Sequence, residues 1–108
     1  MAQAKDIDIE TFGLGPRGLE LVREVFSRQP EVREVKVFGS RAMGRFEPSS
    51  DVDLALWGEV DLDLVARITA ELDQLPLPYT FDVQSYDAIK HPPLKEHIDR
   101  VGCTLYRS

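Results

Sequence analysis

The stretch Val37–Leu56, VFGSRAMGRFEPSSDVDLAL, decides how the rest of the chain is read. A small Gly39-Ser40 turn closes one apolar run, and after a gap of ten residues Asp51 and Asp53 open a second. Side chains in a strand alternate between faces, so Asp51 and Asp53 project to one side while Val52 and Leu54 project to the other. No Lys or Arg stands between the two carboxylates to neutralise them. A divalent cation is the simplest partner for such a pair.

Bulk properties set the limits within which that pair must work. The 108 residues make one domain, spanning 1–108, around a single core that buries roughly two thirds of the unfolded surface. Apolar residues at 43% and charged residues at 30% are those of a folded globular chain. The lone Cys103 has no internal disulfide partner, and no apolar run approaches the roughly 18 residues of a membrane span or forms a signal-peptide core. A cytoplasmic protein without membrane association is expected. The net charge of −6 argues against strong nucleic-acid binding, which needs a basic face. It leaves room for a nucleoside triphosphate, whose charge a metal ion and the nearby Arg41 and Arg45 can offset.

Working outward, helices and strands alternate. Residues 1–14 read as a loose lead-in, after which Pro16 suits a first helical position and Leu19, Val22 and Phe26 form a helical stripe ending before Pro30. Val32 to Phe38 reads as a strand, Ser40 to Arg45 as a short helix, residues 47–50 as a loop, and Asp51 to Trp57 as a second strand. Asp61 is expected to cap a helix with Leu62, Val65, Ile68 and Leu72 on its apolar side, stopped by Leu75-Pro76-Leu77-Pro78. Tyr79 to Ser85 has strand composition. Leu94, Ile98 and Val101 mark a last helix that Gly102 ends, and Cys103 to Tyr106 closes as a strand whose edge leaves homo- or hetero-oligomerisation open.

This order puts a third carboxylate, Asp82, on a separate strand, with Phe81 and Val83 directed to the core. If that strand pairs beside Asp51–Trp57, backbones about 4.8 Å apart let Asp51, Asp53 and Asp82 share one or two Mg²⁺ ions through hard oxygen ligands. Phosphoryl transfer explains why such a triad accompanies a Gly-Ser turn. Backbone N–H groups at Gly39 and Ser40, with the Ser40 hydroxyl, would donate to phosphate oxygens where a helix opens. Arg41 is read either as a phosphate contact or as an ion-pair partner of the carboxylates.

Gly39-Ser40, Asp51-Val52-Asp53 and Asp82 together resemble the signature of the DNA polymerase beta superfamily of nucleotidyltransferases. The runs GSRAMG and SSDVDLA are most similar to its minimal nucleotidyltransferase branch, the MNT or MntA-like antitoxins. The resemblance implies an α/β (α+β) fold, a small mixed sheet of about four strands with helices packed mainly on one face. It implies Gly39, Ser40 and Arg41 at the phosphates, Asp51 and Asp53 as a metal-ligand pair, and Asp82 as the carboxylate that helps activate the acceptor hydroxyl. Met43 stands where many relatives carry a second arginine. By the same resemblance, the chain transfers AMP from ATP to a tyrosine of a HEPN-type toxin and acts as the antitoxin of the pair.

Blander readings stand beside these. An Asp-x-Asp alone is more often a solvated turn than a metal site. His91 and His97 lack a ligand pattern and read as surface residues, Cys103 as a small core residue, and Trp57 as a cover for the second strand. Two other functions share the same residues: transfer to a small hydroxyl compound such as an aminoglycoside, and a non-catalytic antitoxin that only covers its partner. The second leaves the triad without a purpose.

Overall fold

Alternating β-branched and apolar residues build the centre of the molecule. In the computed structural model, which describes residues 11–108, strand β1 covers Val32–Phe38 and β2 covers Val52–Gly58. They pair antiparallel, with Val37 opposite Leu54 and Phe38 opposite Asp53. β3 is Phe81–Ser85 and β4 is Cys103–Arg107, giving a four-stranded sheet in the order β3-β2-β1-β4. β4 runs antiparallel to β1, whereas β3 runs parallel to β2, so the sheet is mixed.

Three helices cover this sheet. Helix α1, Gly15–Ser27, carries Pro16 in its first turn and buries Leu19, Val22, Val25 and Phe26. Helix α2, Leu62–Asp73, supplies the crossover that a parallel β2–β3 pair requires. Its N-cap is Asp61, whose Oδ1 accepts from the Leu64 N–H at 2.8 Å. Both helices pack with Val35, Val37, Val52, Leu54, Leu56, Phe81 and Val83 in one apolar cluster. The third helix, α3, Pro92–Val101, lies on the opposite face, where Ile98 packs with Phe38, Ala55 and Ile89. No helix among the described residues is long and apolar enough to cross a membrane.

Four local expectations need correction. Thr11, Phe12 and Leu14 are buried rather than loose, because a turn closed by the Leu14 N–H on the Thr11 carbonyl folds the two apolar side chains into the core; the rest of the expected lead-in, residues 1–10, lies outside the described residues. The Ser40–Arg45 helix is a single turn. Met43 N–H donates to the Gly39 carbonyl, Arg45 N–H to Ser40 and Gly44 N–H to Arg41, with Gly44 at φ +71°. That last pair of bonds is a Schellman closure, and it stops the turn before a second one can form. Leu62 is 80% exposed, and the buried stripe of α2 is Leu64, Ile68 and Leu72 at a spacing of four, since capping by Asp61 makes Leu62 the first helical residue. Finally, β3 begins at Phe81 rather than Tyr79, although the Val52 N–H still reaches the Thr80 carbonyl at 2.9 Å.

Candidate active site

Strand alternation sorts the site residues before any side-chain geometry is considered. Val52, Leu54 and Leu56 fill the face under α1 and α2, which sends Asp53 to the opposite face with Ala55 and Trp57. On β3, Phe81 and Val83 fill the same core, so exposed Asp82 also faces away from it. The parallel register then sets Asp53 directly beside Asp82. Asp51 stands just before β2, exposed, and its charge reaches Asp53.

The electrostatics register that crowding. Burial pushes the Asp53 carboxyl up from 3.8 to about 6, helped by the negative charges of Asp82 and then Asp51, while Arg41 opposes the shift. A carboxylate raised in this way gains most from a nearby cation. Asp51 and Asp82 are exposed, so once a cation offsets their repulsion, drawing them toward Asp53 costs mainly side-chain rotamer freedom. Among the described residues no three His, Cys, Asp or Glu side chains already converge into a closed coordination set. The all-oxygen donor set nevertheless suits a hard divalent ion such as Mg²⁺ better than a soft or nitrogen-seeking metal.

Gly39 lies against Asp53. Its backbone is left-handed at φ +75°, and a Cβ there would run into the Asp53 carboxylate. The turn and the carboxylates are therefore one structure, and only glycine lets them meet. The Gly39 N–H, however, is not open. It donates to His97 Nε2 at 3.1 Å, from the middle of α3 and 58 positions along the chain. His97 is half-buried, with its ring edge-on to Phe38 at 6.1 Å, not the surface residue expected from its sequence context.

Arg41 also departs from expectation. It is 1% exposed and offers no surface to a triphosphate. Its Nη1 donates to the Phe12 carbonyl at 2.8 Å, its Nη2 to Ser50 at 2.8 Å and Pro48 at 3.3 Å, and its Nε to Ser50 at 3.2 Å. The guanidinium lies 4.9 Å from the rings of both Phe46 and Tyr79. Burial lowers its pKa, while Tyr79, Asp51 and Asp53 act in the opposite sense. Arg41 is thus a strut that ties the 46–50 loop to the 11–14 turn and fixes the approach to Asp51. A planar fork meeting carbonyls from two separate segments is geometry that a lone arginine in a sequence does not announce. Arg45, by contrast, is exposed at the end of the turn.

With this geometry in place, comparison with known proteins is specific. The family described as Polymerase beta, Nucleotidyltransferase matches residues 20–108. The chain belongs to that family, and is a nucleotidyltransferase by that membership. No curated protein matches it. Among solved structures, a chain from the crystal structure of a toxin–antitoxin with AMP-PNP is similar at TM-score 0.69 and 17% identity, over 83% of this chain and 73% of that one. A chain from tri-AMPylated Shewanella oneidensis HEPN toxin in complex with MNT antitoxin is similar at TM-score 0.58 and 15% identity, over 83% and 73%. A chain from the toxin–antitoxin MntA-HepT gives TM-score 0.59 and 15% identity, over 82% and 68%. At these identities the likeness is one of fold.

Proposed function

We propose that this nucleotidyltransferase is the antitoxin of a toxin–antitoxin pair and transfers AMP from ATP to a tyrosine hydroxyl of a HEPN-type partner. The observation that carries the reading is the parallel β2–β3 register, which sets Asp82 beside Asp53 on the face of the sheet that Gly39 borders. In this scheme Asp51, Asp53 and Asp82 hold Mg²⁺, which when bound would supply charge neutralisation at the phosphates and at the leaving pyrophosphate. Asp82 sits on an edge strand, open to an incoming acceptor. It takes the proton from the acceptor hydroxyl as that oxygen bonds to the α-phosphorus. The bond from the α-phosphorus to the β-bridging oxygen breaks, and pyrophosphate departs with the electron pair. The Gly39-Ser40 turn, with its half-buried Ser40, and exposed Arg45 are the chain's own groups for the phosphate oxygens.

A partner that brings its own hydroxyl fits what the described residues contain. Every helix and strand among them belongs to the one sheet or its coverings, which leaves no separate acceptor-binding unit there. A docked protein would supply acceptor and orientation together. The test is to incubate the protein with labelled ATP, Mg²⁺ and a HEPN-type toxin. Label should appear on a toxin tyrosine and disappear with Asp53→Asn or Asp82→Asn. An absence of transfer with every nucleotide, from a folded protein and an intact partner, removes the proposal. Full protection of cells by Asp53→Asn would instead favour simple occlusion.

A further inference from the structure

The contact between α3 and the Gly39 turn engages the amide that the triphosphate-turn reading assigns to a phosphate oxygen. We propose that His97 is a built-in competitor for that position, so that a nucleoside triphosphate must displace its imidazole before using the Gly39 N–H. The proposal rests on reading Gly39-Ser40 as the triphosphate turn.

Three observations support it. The Gly39 N to His97 Nε2 distance of 3.1 Å is a hydrogen bond in which the imidazole nitrogen accepts, so this nitrogen carries no proton. An amide has one hydrogen to aim, and a phosphate oxygen seeking it meets the ring instead. The imidazole is also held in place. Ile98, the next residue, is 0% exposed beneath the sheet, and the His97 ring stands at 79° to Phe38, the residue before Gly39. Finally, Gly39 is left-handed at φ +75°, and the Asp53 carboxylate packed beside it blocks the turn on that side. The imidazole moves, or the amide stays taken.

A site occupied in this way binds with an affinity reduced by the fraction of molecules in which it is closed. Giving up the neutral Gly39–His97 hydrogen bond before the phosphate can use the amide corresponds to roughly a two- to tenfold effect on affinity. The experiment is calorimetric titration of the whole chain with AMP-PNP and Mg²⁺. His97→Ala should bind roughly two- to tenfold more tightly than wild type, whereas His97→Gln, which keeps an acceptor, should stay nearer to it. Equal or weaker binding by His97→Ala overturns the proposal while leaving nucleotide use intact. A folded wild type and His97→Ala that both ignore AMP-PNP overturn the phosphate-turn reading as well. If His97→Ala does not fold, the wild type decides through the ¹⁵N resonances of the Gly39 amide and the His97 ring. Loss of the Gly39–Nε2 hydrogen bond at AMP-PNP saturation supports displacement, and its persistence excludes it.

Discussion

The two faces of the sheet are built on opposite terms. Under α1 and α2, the strand residues Val35, Val37, Val52, Leu54 and Leu56 are all 0% exposed, and none of them carries charge. Across the same strands, the other face is covered in part by α3 and holds Asp53, whose charged form is disfavoured. A single alternation of side chains separates a face that stabilises the fold from one that stores electrostatic cost. Functional crowding is tolerable because the backbone beneath it is anchored from behind.

The largest effects should come from weakening that anchor. Leu54→Ala removes a fully buried side chain one position from Asp53 and should destabilise the protein by about 3–5 kcal/mol in urea denaturation. Next is the strut at the rim of the site. Arg41→Met leaves the carbonyls of Phe12, Pro48 and Ser50 without their donor and should cost about 3 kcal/mol, with faster proteolysis within residues 46–50.

A smaller change should run the other way. Because Asp53 titrates near 6 when folded and near 3.8 otherwise, the native chain holds this proton more tightly than the unfolded chain. Its contribution to stability therefore falls as pH rises from about 4 to 6 and stays low above that range. Asp53→Asn removes the penalty and should gain on the order of 1–2 kcal/mol at pH 7–8, after allowing for solvent screening. The gain should vanish toward pH 4 in a series of urea midpoints. A gain independent of pH would show that crowding of charge is not its cause. The smallest effect belongs to Leu62→Ser, at 80% exposure, which should change stability by less than about 0.5 kcal/mol.

Much of this was legible in the sequence, for identifiable reasons. Strands β1 and β2 follow from local alternation, and Asp61 announces its helix because capping depends on a residue and its near neighbours. The adjacency of Asp53 and Asp82 was an assumption about pairing until the parallel register supplied it. His97 and Arg41 could not be read in the same way. The first depends on how α3 lies across the sheet, and the second on Phe12, Phe46, Pro48, Ser50 and Tyr79 meeting around one side chain. A histidine with no spacing pattern and an arginine beside a turn look ordinary until distant segments close on them. The Ser40–Arg45 turn failed as a helix for a local reason, the left-handed Gly44, which the glycine itself could have signalled.

The parallel pairing of β2 with β3 also bears on the order in which the molecule can acquire its chemistry. β1 and β2 are neighbours in the chain and can meet as a hairpin, but Asp82 reaches Asp53 only after α2 has carried the chain back across the sheet. Such a long-range contact pays its loop-closure entropy late in folding. A nascent or partly folded chain would then hold Asp51 and Asp53 without Asp82. On the role proposed above for Asp82, activity would be a property of the completed fold, switched on by topology at the moment the third carboxylate arrives.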